Sequence, residues 1–173
     1  MKSHIISGLS TQELTSHVDS RGKFTRLFDT DWFGLNFQEI KQINYSFNPK
    51  ILTLRGMHFQ VQGEPEQKII TLLNGSIFIG IIDLRVDSLT YLNTHTEVLD
   101  MTRPKSILVP SGCATGWLTL AENSSIHYAM TSRFEDNSYS GYRFDDPRFG
   151  ILWPARPLLV SEQDLSWPLF GSD

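Results

Sequence analysis

The sequence predicts an all-β protein, a jelly roll with short helical turns and an irregular C-terminal tail. Segments of strand length recur about every 8–12 residues and are separated by turn residues. Aromatic residues make up 12% of the chain, which also holds 12 glycines and 8 prolines, a composition typical of many short strands joined by turns. Only a few short helical turns fit the pattern, so a sandwich or barrel of strands is favoured.

Length and composition limit the classes of protein that fit. The 173 residues are predicted to form a single domain, 1–173, that is long enough to bury a core. A net charge of −4 argues against a nucleic-acid-binding scaffold. No run of about 18 apolar residues predicts a membrane span, and residues 1–6 lack the apolar core of a signal peptide. The single cysteine, Cys113, excludes an internal disulfide and favours a cytoplasmic location.

The first third of the chain is predicted to contain an arm followed by strands. The arm is polar, and we interpret it as exposed or exchanged with another chain. A turn leads from it into the first strand, and Asn48-Pro49-Lys50 turns the chain again before the third. The predicted elements are the arm at 11–20, a turn at 19–22, a strand at 23–28, a helical turn at 31–34, and strands at 37–47 and 51–60.

The middle of the chain contains the strongest turn signal. Asn74-Gly75 separates two apolar segments, which predicts a β-hairpin. The segment at 76–84 is apolar on both faces, which predicts a central strand. The predicted elements are strands at 67–73, 76–84, 94–100 and 106–109, a turn at 110–116, strands at 117–120, 125–132 and 141–145, and a helical turn near 161–164 in the tail.

One stretch of the strand at 51–60 carries ionisable side chains among apolar ones. Such side chains are costly inside a strand unless they line a pocket. We therefore interpret His58 as a catalytic base and Lys68, in the next strand, as its electrostatic partner. Strict alternation predicts that Leu54, Gly56, His58 and Gln60 share one face of the strand, and that Arg55, Met57 and Phe59 share the other.

A metal site is one alternative for His58. A metal-binding jelly roll needs a His-x-His pair, a nearby carboxylate and a third His from a later strand. Here the pair reads His58-Phe59-Gln60, and Thr115 stands where the third His would fall. Because two of the three imidazoles are absent, we expect no catalytic metal.

The ionisable side chains suit proton abstraction next to a carbonyl group. Arg55, His58, Lys68 and a tyrosine on a later strand, Tyr128, could give one cavity a base, two cations and a phenol. The histidine would remove a proton, the lysine would stabilise the enolate oxygen, and the tyrosine would return a proton. The alternatives are a core histidine satisfied by hydrogen bonds and a tyrosine that only packs.

Other candidate side chains are assigned by their neighbours. Asp164 would orient a histidine base, although the sequence alone does not place it beside His58. The pair Asp145-Asp146 competes for that role, but an Asp before a proline commonly forms a turn. His127 is predicted to face away from Tyr128. His4, His17 and His95 are predicted at the surface, and Cys113 is interpreted as structural.

The order and spacing of several motifs resemble the dTDP-4-dehydrorhamnose 3,5-epimerase family. One such motif would be weak, but seven in register are specific, and the resemblance runs from about residue 19 to residue 164. The motifs are Leu54-Arg55-Gly56-Met57-His58-Phe59-Gln60, Gln67-Lys68-Ile69, Asp83-Leu84-Arg85, Pro110-x-Gly112-x-Ala114-x-Gly116, Tyr128, Asp145-Asp146-Pro147 and Ile151-x-Trp153-Pro154.

The resemblance implies a metal-free cupin jelly roll that forms a homodimer by exchanging N-terminal strands, with the arm at about 1–22 in the contact. It implies epimerisation of a nucleotide-linked 4-keto-6-deoxy sugar without a cofactor, within deoxysugar or polysaccharide biosynthesis. His58 matches the base, Asp164 its partner, Tyr128 the acid and Lys68 the oxyanion stabiliser. The implied substrate-binding positions are Arg21, Phe24, Arg26, Gln42, Asn44, Arg55, Gln60, Thr115, Tyr139 and Gln163.

Departures from the family pattern fall on the substrate-binding positions or, for Ile43, between two of them. Thr115 replaces a usual His, which makes inversion of a single centre, C3 or C5, plausible. Arg26 and Tyr139 stand where rhamnose-pathway members usually carry Glu, Gln163 replaces a Lys, and Ile43 replaces a polar residue. An Arg in place of a Glu changes the local charge by two. We therefore hypothesise another substrate, such as a GDP- or CDP-linked sugar.

Three other functions remain as alternatives. The first is a metal-dependent cupin isomerase or oxygenase, which metal analysis would identify. The second is a cupin that binds sugar nucleotides without catalysis, although binding alone does not require a base and an acid. The third is a cupin ketoisomerase, which product analysis would distinguish. None of these involves nucleic acid or a membrane.

Overall fold

The computed structural model describes residues 6–29, 31–34, 40–135 and 138–172, and these form two antiparallel sheets. Sheet I has the strand order β1-β9-β6-β11-β4, sheet II has the order β12-β5-β10-β7-β8, and β2 and β3 form a separate hairpin. The elements are β1 (Ser10–Glu13), β2 (Ser16–Asp19), β3 (Gly22–Thr25), a 3₁₀ turn (Trp32–Gly34), β4 (Gln42–Asn48), β5 (Leu54–Gln60), β6 (Lys68–Asn74), β7 (Ser76–Asp83), β8 (Thr94–Asp100), β9 (Lys105–Val109), β10 (Cys113–Thr119), β11 (Ser124–Met130), β12 (Tyr139–Gly141) and α1 (Glu162–Ser166).

This architecture confirms the predicted all-β jelly roll with short helical turns and an irregular tail. The predicted helical turn in the tail is α1, and the earlier one is the 3₁₀ turn. Within the described ranges, no helix has the length and hydropathy that crossing a bilayer would require.

The space between the two sheets is filled by alternate side chains of the facing strands. Ile77, Ile79 and Ile81 of β7 are fully buried there and pack with Ile70 of β6 and Ile107 of β9. Burying a side chain of this size contributes about 1.5–3 kcal/mol to folding. The sheets are therefore held together by a continuous apolar core at the closed part of the sandwich.

The C-terminal tail forms a second apolar layer on the outer face of sheet II. Phe144 and Phe149 pack with Leu118 of β10 in one buried cluster, and Trp153 packs against it. The Trp153 indole N–H donates to the carbonyl oxygen of Phe144 at 2.8 Å. The tail is irregular, as predicted, yet it is fixed against the sheet, and it carries α1 to the edge of β5.

A β-bulge lies where β5 pairs with β10. Thr115 opposes His58, whereas Trp117 opposes Arg55, so two residues of β5 occupy the interval that one residue of β10 spans. Opposed residues in a ladder share a face of the sheet. Because Trp117 belongs to the core between the sheets, Arg55 and His58 both face that space.

The bulge corrects the predicted faces of β5. Leu54 packs with Met57 and Phe59 in the cluster under the C-terminal tail, and therefore does not share a face with His58. Arg55 and Met57 likewise do not share a face, because Arg55 faces the space between the sheets and Met57 faces the tail. The alternation prediction was wrong because one additional residue reverses the direction of every side chain that follows it.

Asn74-Gly75 joins the two sheets and does not close a hairpin, which corrects that prediction. β6 belongs to sheet I and β7 to sheet II. Gly75 has φ 85°, and a Cβ there would lie 2.3 Å from Ser124 Oγ, so the turn depends on glycine. The hairpin signal failed because β7 is apolar on both faces. It is buried between the inter-sheet core and the tail, inside sheet II.

Several predicted boundaries also move. The predicted turn at 110–116 is shorter, because β10 already begins at Cys113. The last strand occupies Tyr139–Gly141, before the predicted 141–145. Part of the predicted arm, Ser10–Glu13, pairs with β9 of its own sheet. Residues 37–39 of a predicted strand lie outside the described residues.

We expect Gly56→Ala to lower the free energy of unfolding by about 3 kcal/mol or more. Gly56 has φ 131°, and a Cβ there would lie 2.4 Å from the Gly116 Cα and 2.9 Å from the Thr115 carbonyl oxygen. These atoms belong to the backbone of β10 and cannot rotate away. Urea unfolding of the variant measures the loss.

Gly22→Ala is the matched control, because Gly22 has φ 128° with no atom within 4 Å of an added Cβ. It carries the same backbone strain without the steric clash, so a loss of about 1 kcal/mol is expected. Equal losses in the two variants would contradict the importance of the close approach of β5 to β10.

Candidate active site

Side chains from both sheets and from the tail line a cavity of about 300 Å³. It lies where β4, β6 and β11 of sheet I face β5, β10 and β12 of sheet II. Eight of the predicted site residues line it, namely Gln42, Asn44, His58, Lys68, Thr115, Tyr128, Tyr139 and Gln163. The other lining residues are Ile70, Trp117, Met130, Phe134, Ser140 and Trp167.

His58 and Asp164 are brought together from distant parts of the chain. His58 Nε2 lies 2.7 Å from Asp164 Oδ1, and the second carboxylate oxygen accepts the N–H of Gly56 at 3.2 Å. Ser161 caps α1, and its hydroxyl oxygen accepts the Asp164 N–H at 3.0 Å. The cap fixes the carboxylate on α1, while the bulge in β5 directs the imidazole toward the cavity.

Asp164 is ionised at neutral pH. Burial of its side chain opposes ionisation, but the hydrogen bonds from His58 and from the Gly56 N–H outweigh it and hold the Asp164 pKa below its ordinary value. The ionised carboxylate requires a proton on His58 Nε2, so in the neutral form of the imidazole Nδ1 is the nitrogen with a free lone pair. The His58 side chain is 39% exposed and that of Asp164 only 5%, so the histidine is the accessible member of the pair.

Trp167 forms the wall of the cavity beside this pair. Gly141 of β12 opposes His58, and a Cβ on Gly141 would lie 2.5 Å from the Trp167 indole nitrogen. Glycine at 141 therefore allows the indole ring to lie against the strand. The sequence prediction assigned Trp167 no role in the site.

Lys68 lies beside a buried carboxylate that the sequence prediction missed. Lys68 Nζ is 3.2 Å from Glu66 Oε1, and the hydroxyl group of Ser132 donates to Glu66 Oε2 at 2.9 Å. The Tyr139 hydroxyl donates to the same oxygen. Burial, reinforced by the Glu66 carboxylate, raises the pKa of Tyr139, so the phenol stays protonated.

Tyr128 stands on sheet I, across the cavity from the strand of sheet II that carries His58. Its ring packs at 6.0 Å from the ring of Trp117. Burial raises the pKa of Tyr128, and the charge of Arg55 opposes the rise only in part. The phenol is therefore protonated at neutral pH and can donate a proton.

The two amides on β4 are oriented by Met130. Gln42 Nε2 lies 2.9 Å and Asn44 Nδ2 lies 3.2 Å from Met130 Sδ. A thioether sulfur accepts and cannot donate, so the NH₂ group of each amide faces the sulfur. The amide oxygens remain available as acceptors for hydroxyl groups of a ligand.

Five predicted substrate-binding residues do not line the cavity. Arg21 pairs with Asp19 and Phe24 is 67% exposed, both on the β2–β3 hairpin outside the two sheets. Arg26 pairs with Asp29 at 2.7 Å. Arg55 donates to Asn48 Oδ1 at 2.9 Å and Gln60 donates to Ser132 Oγ at 3.3 Å. Substrate contacts by these residues remain predictions.

The other candidate side chains lie away from the cavity. His127 is on the outer face of sheet I, Asp146 accepts backbone N–H groups of the tail, and burial raises the pKa of Cys113 to about 12. His95 was predicted at the surface, which was wrong, because it is half-buried with Nε2 3.7 Å from Glu97. His17 is exposed. His4 lies outside the described residues.

Some residues of the site carried little signal in the sequence. Glu66 lies two residues before Lys68, and its importance depends on a contact with Tyr139 that only the fold creates. Trp117 and Phe134 look like ordinary packing aromatics in the sequence. In the part of the chain that the structure describes, no group of three His, Cys, Asp or Glu side chains could hold a metal ion.

Comparison with known proteins gives consistent matches over most of the chain. A family model described as dTDP-4-dehydrorhamnose 3,5-epimerase matches residues 3–172. A dTDP-4-dehydrorhamnose 3,5-epimerase from Sinorhizobium fredii is 34% identical over 153 residues, which cover 87% of this chain and 78% of that protein.

Solved structures give the same result. The dTDP-4-dehydrorhamnose 3,5-epimerase from Bacillus anthracis, with TDP and PPi bound, has a TM-score of 0.90 and 27% identity and covers 98% of this chain and 97% of its own. A 3'-monoepimerase from Streptomyces bikiniensis, in complex with dTDP-quinovose, has a TM-score of 0.87 and 25% identity, with coverage of 97% and 86%.

Asp164→Asn tests the ionised carboxylate. A carboxyl pKa held below its ordinary value of 3.8 stabilises the folded state above that value, and the contribution is lost as the pH falls through the folded pKa. We expect the variant to lose about 2 kcal/mol of unfolding free energy at pH 7. The difference from the unmodified protein should narrow below about pH 4. Urea unfolding across this pH range measures both.

Asp145→Asn is the control, because Asp145 pairs with Arg143 at the surface and its side chain is 48% exposed. It is expected to cost less than about 1 kcal/mol. A stability difference for Asp164→Asn that does not change with acidification would contradict an ionised, stabilising carboxylate.

Proposed function

Because the chain belongs to the dTDP-4-dehydrorhamnose 3,5-epimerase family, we propose that it inverts one or both carbons beside the ketone of a nucleotide-linked 4-keto-6-deoxy sugar. The observation that carries this proposal is the pairing of His58 with buried Asp164 in a cavity that Lys68 and Tyr128 also line. No cofactor is required, because the substrate's own C4 ketone acidifies the protons at C3 and C5.

His58 is proposed as the base. Its Nε2 proton is held by Asp164, so Nδ1 is the atom that takes a proton from C3 or C5. Asp164 orients the imidazole and stabilises the imidazolium that forms.

Lys68 and Tyr128 are proposed to complete the reaction. When the proton leaves, charge develops on the C4 oxygen, and the Lys68 ammonium stabilises it. Tyr128 is protonated and lies on sheet I, across the cavity from the strand that carries His58. It returns a proton to the face of the carbon opposite the one that His58 deprotonates. Inversion follows because the base and the acid act on opposite faces of the sugar ring.

Family membership does not determine how many carbons of the sugar are inverted, or which nucleotide the sugar carries. The compared relatives include proteins named as 3,5-epimerases and one named as a 3'-monoepimerase. Two of these relatives are named for a dTDP-linked sugar, and the two solved structures contain TDP or dTDP-quinovose. The first substrate to test is therefore dTDP-4-keto-6-deoxyglucose. The hypothesis of a GDP- or CDP-linked substrate rests on Arg26 and Tyr139 and is tested on the same panel.

A homodimer is part of the proposal. Among the residues that the structure describes, the β2–β3 hairpin pairs only within itself, and it exposes Val18 by 76% and Phe24 by 67%. Apolar side chains projecting from a hairpin are suited to contact a second copy of the chain. Arg21 and Phe24 would then reach the cavity of the partner subunit. The cytoplasmic location also stays a prediction.

Deuterium uptake tests the reaction. Incubation in D₂O with dTDP-4-keto-6-deoxyglucose is expected to introduce two deuterium atoms if both centres react, and one if a single centre reacts. Mass spectrometry counts them, and the panel includes GDP- and CDP-linked analogues. Turnover of the dTDP sugar as fast as by rhamnose-pathway enzymes would contradict the altered-nucleotide hypothesis. Uptake by no substrate would contradict the proposed reaction and favour a binding function.

His58→Asn is expected to lower kcat for deuterium uptake by about 10³-fold, because it removes the base and retains a similar shape. The control is His127→Asn. His127 directly precedes Tyr128, and the His127 side chain lies on the outer face of sheet I. This control should keep kcat within about twofold. Comparable activity of His58→Asn and the unmodified enzyme would contradict the mechanism.

A further inference from the structure

We infer that Glu66 is a positioning residue, which holds the Lys68 ammonium in its place at the cavity wall. Glu66 is buried beside the cavity and has no role in the proposed reaction steps. The inference goes beyond the roles proposed above, but it rests on the proposed function of Lys68 as the group that stabilises the enolate.

The argument begins with the burial of the Glu66 carboxylate. Its side chain is 3% exposed, and a carboxylate removed from water in this way is retained only where its oxygens have partners. Oε1 faces Lys68 Nζ at 3.2 Å. Oε2 accepts from the hydroxyl groups of Ser132 and Tyr139. Both oxygens are therefore occupied, and the carboxylate has one orientation.

The fixed carboxylate in turn fixes the lysine. A lysine ammonium is a point charge on a flexible four-carbon stem, so it needs a partner to hold it in one place. Glu66 supplies that partner, and the ring of Tyr139 lies 5.8 Å from Nζ. The Lys68 side chain is 10% exposed and lines the cavity, so its remaining N–H groups can face a ligand. An ammonium held before the reaction need not reorganise when charge develops.

A second layer of contacts holds Glu66 itself. Gln60 Nε2 donates to Ser132 Oγ at 3.3 Å, which leaves the Ser132 proton for Glu66. The ring of Tyr139 stacks on Phe134 with a centroid distance of 5.7 Å and an interplanar angle of 12°. Gln60 therefore acts through Ser132 and Glu66, although it does not line the cavity.

Glutamine is the sharpest replacement for Glu66. It has the same shape but only one acceptor oxygen, and its NH₂ group can only donate. One orientation of the amide places the NH₂ group against the Lys68 ammonium. The other places it against the hydroxyl groups of Ser132 and Tyr139. The first orientation removes the acceptor that faces Lys68. The second offers the ammonium only a neutral acceptor and requires the two hydroxyl groups to accept in place of donating, so either orientation weakens the contact that holds Lys68.

The test uses the full-length enzyme in the deuterium-uptake assay on its best substrate. Glu66→Gln is expected to lower kcat at least about 30-fold with KM changed less than about threefold, since the lost contact acts on the transition state. Glu66→Asp keeps the charge and should recover part of the rate. In a Lys68→Met background, Glu66→Gln should lower kcat by less than about twofold further.

Glu97→Gln is the matched control. Glu97 pairs with Lys105 at the other side of the sandwich, outside the cavity, and is also partly buried. Its replacement should lower Tm and leave kcat unchanged. Independent, additive effects of Glu66→Gln and Lys68→Met would overturn the positioning role. So would loss of Tm without loss of kcat in Glu66→Gln.

Tyr139→Phe keeps the proposal testable if Glu66→Gln does not fold. It removes one donor to Glu66 and keeps the ring that stacks on Phe134. A fall in kcat of about 3–10-fold that disappears in the Lys68→Met background supports the inference, and an additive fall overturns it. Lack of uptake by the unmodified enzyme would overturn the proposed function, and this inference with it. An active enzyme with an unaffected Glu66→Gln variant would overturn only the inference.

Discussion

The hydrogen bond between His58 and Asp164 is the interaction on which the site depends. It joins β5, which lies next to the edge strand β12 of sheet II, to α1 in the tail that covers the outer face of that sheet. The tail packs as an apolar layer, and its last turn delivers one carboxylate to the edge of the cavity. The orientation of the proposed base therefore depends on the packing of the tail, because a shift of the tail would move the carboxylate that holds His58.

The ionisable groups of the cavity are arranged in two pairs, each of them a carboxylate with a nitrogen partner. Asp164 faces His58 and Glu66 faces Lys68, and in each pair the carboxylate is the more deeply buried partner. A buried charge without a partner is strongly destabilising, whereas a paired and fully hydrogen-bonded one can be retained. The accessible member of each pair, an imidazole or an ammonium, is thus the one presented to a ligand. Tyr128, on sheet I, adds a neutral donor across the cavity from the strand that carries His58.

The sequence predicted the all-β fold and the residues of the cavity better than it predicted local geometry. The alternation of β8 and β11 is a property of each strand alone, so those two elements were predicted closely. The bulge in β5 depends on the contact with β10, and the turn at Asn74-Gly75 depends on which sheet covers β7. The pairing of Asp164 with His58 entered only through the family resemblance, because the fold alone brings these residues together.

The close approach of Gly56 to Gly116 also limits how this chain can evolve. A side chain at either position would meet backbone atoms of the other strand or the sulfur of Met57. The residue opposite Gly56 is already the smallest amino acid, so no second-site substitution there can make room. Neither Gly56 nor Gly116 can therefore be replaced by a larger residue without a steric clash. Divergence in specificity must instead accumulate at positions such as Met130 and Phe134, which line the same cavity.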